Sequence, residues 1–144
     1  MLPVAEEIVF RDGVYIFKIS LHYEPDIWRK VTLSARHTLE DLHLVIQEAF
    51  RFDDDHLYSF YLHPRNERRD VYHHPEFEPP YADEAVIGDL GLSPGRKFRY
   101  LFDFGDSWMF DIVLEEIREG EKAPKEPKVL EEHGKAPEQY PEWE

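Results

Sequence analysis

The sequence predicts an α+β domain: an antiparallel or mixed sheet packed on one main helix, with a C-terminal extended tail. Three observations carry this. Alternating apolar runs recur along the chain, and the longest, KFRYLFDFGDSWMFDIVLE at 97–115, is folded back on itself by Gly105-Asp106-Ser107. A single segment, 38–51, repeats apolar residues at helical spacing. Strands, one helix, then strands is an order that segregates helix from sheet. The ββαβ opening followed by a later hairpin suits a β-grasp-like sheet covering one helix.

Residues 7–11 and 14–23 flank Asp12-Gly13, a two-residue hairpin signal. In the second run Tyr15, Phe17, Ile19, Leu21 and Tyr23 alternate with Lys18, Ser20 and His22, the period of a half-buried strand. Glu24-Pro25-Asp26 breaks it, and 27–33 forms the next strand with Trp28 facing away from Ile27 and Val31. Thr38, with Asp41 three residues on, opens the helix in a capping-box-like start. Leu39, Leu42, Ile46, Ala49 and Phe50 make its buried stripe, and His43 beside it reads as a packed, hydrogen-bonded residue. The helix ends near Arg51, because Asp53-Asp54-Asp55 puts three negative charges at the negative end of its dipole.

Residues 57–62 read as a strand, and 63–82 as a Pro-rich loop without regular structure. A short helical turn spans 85–92, closed by Gly91. In the aromatic hairpin, a three-residue loop pairs Phe104 with Trp108, Phe102 with Phe110, Tyr100 with Ile112 and Phe98 with Leu114. All eight side chains then share one face, which a one-residue slip would forfeit. Residues 1–118 thus read as a single domain and 119–144 as an extended tail, partly docked through Tyr140 and Trp143.

Composition limits the function. The 144 residues are 42% hydrophobic and 15% aromatic, enough for a core. There are no cysteines, so disulfides and thiolate metal sites are excluded. No apolar run reaches the roughly 20 residues of a membrane span and MLPVAEEIVF lacks a signal pattern, so a cytoplasmic location is expected. A net charge of −14 repels phosphate backbones and disfavours direct nucleic-acid binding. Arg65, Arg68 and Arg69 in HPRNERRD are the one dense basic run, read as a solvated loop.

Ile27-Trp28-Arg29, TLEDLHLVIQEAFRFDDDHLYSF (38–60) and KFRYLFDFGDSW (97–108), in this order, resemble the Ri-plasmid ORF-3-like family over about 14–117. The resemblance implies an α+β domain of unestablished activity, found on plasmids and mobile elements, some members carrying a putative-resolvase label. Many members have a histidine where Phe110 stands, and a cysteine-bearing C-terminal segment absent here, so functions resting on those groups do not carry over. The resolvase label fits poorly: Ser20, Ser34, Ser59, Ser93 and Ser107 have no arginine cluster around them to stabilise phosphate charge.

Asp103-Phe104-Gly105 spells a kinase metal-binding triplet, without a kinase's glycine-rich or catalytic loops. Asp103 and Asp106 beside Trp108 read first as a turn with Gly105 at positive φ, second as a divalent-metal or polar-ligand site completed by His56 or by 53–55. His73-His74 is a pair that rarely binds metal alone. If the face opposite Ile27 and Val31 is uncovered, Trp28 and Arg29 cannot both be buried and one of them marks a binding surface; the alternative is that Trp28 packs under the Pro-rich loop or the tail. The leading expectation is a non-catalytic interaction or ligand-binding module, with a protein partner or small ligand at Trp28, Arg29, His56, Asp103, Asp106 or Trp108 and no cofactor. The alternatives are a metal-dependent enzyme using Asp103, Asp106 and His56, and an accessory protein of mobile-element or nucleic-acid transactions.

Overall fold

The computed structural model describes residues 8–63, 65 and 70–140. Strands β1 (Val14–Leu21), β2 (Trp28–Ser34), β3 (Tyr58–Tyr61), β4 (Val71–His73), β5 (Lys97–Phe102), β6 (Trp108–Arg118) and β7 (Lys128–His133) form one sheet. Their order is β4-β3-β5-β6-β1-β2-β7, and every strand pairing is antiparallel. One helix, α1 (Leu39–Phe50), and two 3-10 turns, Ala82–Glu84 and Ile87–Asp89, complete the described elements. None of these helices is long and apolar enough to cross a membrane.

Helix α1 starts where its sequence says it should. Thr38 Oγ1 accepts the Asp41 N–H while the Asp41 carboxylate accepts the Thr38 N–H, so two otherwise orphaned donors are satisfied reciprocally. Arg51, in the left-handed conformation at φ 57°, closes it. The buried side of α1 meets the apolar face of the sheet: Phe50 lies 4.9 Å from the Phe110 ring, and His43 reaches Tyr100. Tyr15, Phe17, Ile19, Val31, Leu33, Phe98, Tyr100, Phe102, Phe110, Ile112 and Leu114 are all buried. Each such side chain contributes roughly 1.5–3 kcal/mol, which makes this face the main driving force for folding.

The expected first strand is absent at 8–11; Glu7 lies outside the described residues. Strand β1 has β2 on one edge and β6 on the other, so no hydrogen-bonding edge is left for a preceding partner. The Arg11 N–H instead donates to the Gly88 carbonyl, and Ile8 and Val9 are exposed.

The aromatic hairpin is also shifted. Phe102 pairs with Trp108, Tyr100 with Phe110 and Phe98 with Ile112, leaving a five-residue loop, Asp103 to Ser107. The expected register slips by two positions, which preserves which face each strand residue occupies. Phe104 is the exception and sits exposed in the loop. The cause is Asp103: its Oδ1 accepts the Gly105 and Asp106 N–H groups, and its carbonyl accepts the Ser107 N–H at 2.6 Å. Asp103 (φ 61°) and Ser107 (φ 55°), not Gly105, take the positive φ.

Two strands lie where none is expected. Strand β4 falls inside the Pro-rich loop, paired with β3, and the His73 N–H donates to the Pro80 carbonyl. Strand β7, from the tail, covers the outer edge of β2.

Candidate functional site

The hairpin loop brings His56 and Asp103 together. His56 Nε2 is 3.4 Å from Asp103 Oδ2, 3.6 Å from Asp55 Oδ1 and 2.6 Å from the Tyr140 hydroxyl. Tyr140 donates its single hydroxyl proton to Asp55 Oδ2 at 2.8 Å, so the His56–Tyr140 bond requires His56 to donate from Nε2. Desolvation and then the Asp55 hydrogen bond push the Tyr140 phenol up to about 12, which keeps it a donor. Gln139, which is buried, fastens the same segment: its Oε1 accepts the Asp53 N–H at 2.6 Å and its Nε2 donates to the Asp53 carbonyl at 3.1 Å.

Asp106 is exposed and contributes its backbone N–H to Asp103. Asp103 therefore touches both of the others, through an ion pair with His56 and a turn hydrogen bond from the Asp106 N–H. Among the described residues no group of three or more His, Asp or Glu side chains is placed to hold a metal ion.

Trp28 and Arg29 divide as strand alternation requires, and Arg29 is the buried one, at 3% exposure. Its Nε donates to the Ala49 carbonyl in the last turn of α1, and its Nη1 donates to the Trp28 and His133 carbonyls. It thereby ties α1, β2 and β7 together beneath a cation–π contact with Phe50 at 5.0 Å. Trp28 is half-buried on the other face, stacked on His133 at 5.2 Å, with Lys18 Nζ 4.7 Å from its ring. Trp108 packs on Phe52 at 4.9 Å, its Nε1 buried with no hydrogen-bond partner among the described residues.

The histidines outside this cluster are separately engaged. His73 Nδ1 meets Ser59 Oγ at 2.6 Å, and burial lowers its pKa against the opposing Glu78. His74 Nδ1 accepts the Glu76 N–H, so the adjacent imidazoles do not share a ligand position.

His43 belongs to a buried relay that spacing alone does not reveal. Gln47 Nε2 donates to the Tyr100 hydroxyl at 2.9 Å, Tyr100 meets His43 Nδ1 at 2.6 Å, and His43 Nε2 meets Asp54 Oδ1 at 2.7 Å. Burial lowers the His43 pKa to about 4, with Asp54 opposing, so the ring is neutral. A neutral ring donating to Asp54 must accept at Nδ1, which fixes every proton in the chain. Tyr58 stacks on the imidazole at 3.7 Å and 12°.

On the opposite, helix-free side of the sheet lies an open groove of about 730 Å³. Strand alternation puts Lys18, Lys97 and Arg99 there, and register aligns them: Lys18 and Lys97 both pair with Val113, while Ser20 and Arg99 both pair with Asp111. Arg65 and Arg96 join from the loops beyond. Arg68 and Arg69 lie outside the described residues. Among the described residues five cations thus face one carboxylate, in a chain with 31 acidic and 17 basic residues.

Asp111 engages Arg99 at 3.4 Å and His22 at 2.7 Å, and Arg96 Nη2 donates to the Leu62 carbonyl. Lys18 and Lys97 have no carboxylate within ion-pairing distance among the described residues. Composition gave no sign of this patch, because its members come from strands remote in sequence.

Fold and groove together define the class: an α+β protein with an antiparallel sheet, one helix on one face and a basic groove on the other. A family model described as plasmid pRiA4b ORF-3-like protein matches residues 13–140, and the chain belongs to that family. The chain is 34% identical over 110 residues to uncharacterized protein y4hQ of Sinorhizobium fredii, covering 72% of this chain and 54% of that protein. It therefore spans about half the length of this curated relative. It is also similar to the crystal structure of a protein of unknown function, MM3350 from Methanosarcina mazei Go1, with TM-score 0.70 and 26% identity. That match covers 87% of this chain and 71% of the other.

Proposed function

We propose that the protein is a non-catalytic ligand-binding module that takes an anionic ligand on the helix-free face of its sheet. The groove lined by Lys18, Arg65, Arg96, Lys97 and Arg99 carries this reading, because it inverts the charge of a −14 chain at one place. Its volume is that of small-molecule clefts, roughly 300–1,000 Å³. The polar clusters on the helix side support the same reading, since His43 and His56 spend their ring contacts on Tyr100, Asp54, Tyr140 and Asp103.

Amide chemical-shift mapping with a set of small anions and cations tests it. The expected result is that anions alone shift Lys18, Ser20, Arg99, Asp111 and Val113. Shifts confined to 53–56 and 103–108, or caused equally by cations, would overturn it.

The alternative of a metal-dependent enzyme draws on one observation, the 3.4 Å approach of His56 to Asp103. Metal analysis of purified protein separates the two. Stoichiometric zinc, manganese or magnesium that disappears in Asp103→Asn with Asp106→Asn favours the enzyme.

A further inference from the structure

We infer that the ligand of this groove is a small molecule carrying two separated phosphate groups, an inference that rests on the reading of the open sheet face as the binding surface. Charge sets the first requirement. Among the described residues, five cations less the Asp111 carboxylate leave +4 in the groove, while the His63 of its lining is paired with the Asp70 carboxylate at 2.7 Å. A phosphate monoester carries about −1.5 to −2 at neutral pH, so two such groups balance the site. One carboxylate or one phosphate does not.

Arrangement sets the second. Lys18 and Lys97 flank Val113 from the two neighbouring strands. Two strand spacings put their backbones roughly 10 Å apart. Arg99 stands two residues further along β5, roughly 7 Å from Lys97. Val113 and Leu62 contribute apolar lining among the charges. The cations therefore bracket a partly apolar floor, which suits a ligand with anionic ends and an uncharged body. Arginine supplies the planar fork that phosphate takes bidentately, and Arg96 is oriented for this by its bond to the Leu62 carbonyl.

A nucleic-acid strand fits less well. Single strands bind sheet faces by stacking bases on aromatic rings. The tryptophan on this face, Trp28, is already engaged by His133 at 5.2 Å and by the Lys18 ammonium at 4.7 Å. A long phosphate backbone would also run out of the groove over a surface whose remaining charge is strongly negative.

Calorimetric titration at physiological ionic strength, with a hexose 1,6-bisphosphate, citrate and a dT12 oligonucleotide as probes, tests the inference. Lys18→Glu with Lys97→Glu is the groove variant, and Lys122→Glu with Lys125→Glu is a control outside it, both checked for folding by circular dichroism. The bisphosphate should bind the unaltered protein, bind the groove variant at least roughly tenfold more weakly, and bind the control unchanged. Citrate should bind at least roughly tenfold more weakly than the bisphosphate. Equal affinity for citrate refutes the phosphate assignment and leaves the anion groove standing. Tighter binding of dT12 through the same lysines refutes the small-ligand assignment. No bisphosphate binding, or equal binding by the groove variant, refutes the inference; the groove itself falls only when amide mapping also finds no anion there.

Discussion

Acidification should destabilise this fold through His43 before most carboxylates titrate. The imidazole is 1% exposed, stacked on Tyr58 and hydrogen-bonded at both nitrogens. Burial lowers its pKa from 6.5 to about 4, against the opposing pull of Asp54. The sign follows from which state binds the proton first. Between pH 6.5 and 4 the unfolded chain is protonated at this position and the folded protein is not, so stability is complete above the unfolded value and declines as pH falls towards 4. Over that window the loss is about 3 kcal/mol, a large fraction of a typical 5–15 kcal/mol domain stability. Urea unfolding at stepped pH, comparing the unaltered protein with His43→Gln, isolates the effect because the other seven histidines cancel in the difference. The unaltered protein should lose about 3 kcal/mol more than the variant between pH 6.5 and 4. Equal losses, or an NMR titration placing the His43 transition near 6.5, would refute the assignment of a neutral, proton-ordered relay.

Three further outcomes are expected. Thr38→Ala removes the side-chain half of the α1 capping box and should cost about 1 kcal/mol in urea unfolding. Asp103→Ala should destabilise by about 1–2 kcal/mol more than Asp103→Asn, because asparagine tolerates φ 61° and still accepts the Gly105 and Asp106 N–H groups. Arg29→Met should cost about 1–3 kcal/mol by stranding the Ala49, Trp28 and His133 carbonyls, and limited proteolysis should show faster cleavage around β7.

Features fixed by neighbours in sequence were the legible ones. The α1 start is written in Thr38 and Asp41 alone, and the structure forms that box. The apolar face of the hairpin was legible because parity survives a two-residue slip, but the register was not, because Asp103 closes the loop with its own side chain and lengthens it. Strands β4 and β7 had no local signature: VYH is too short to show a period, and KVLEEH lacks alternation. Each exists because β3 or β2 offers a free edge, a fact of the assembled sheet. The same logic removed the strand expected before Gly13, since β1 had no edge left.

The groove carries this lesson into function. Net charge argues about long range, and at physiological ionic strength the Debye length is only about 8 Å. Beyond that distance the −14 of the chain is largely screened, while within it an approaching ligand meets Lys18, Lys97, Arg96 and Arg99 rather than the average. Within that distance the acidic surround would oppose a long polyanion that extends past the groove, whereas the groove would set what a small anion gains on contact. Raising salt should weaken the contact and relieve the repulsion together, so a small ligand's affinity should fall less steeply with salt than in a basic protein with the same number of contacts. On the proposed reading, exclusion of nucleic acid by overall charge and capture of a compact phosphate by local charge would be two consequences of one surface.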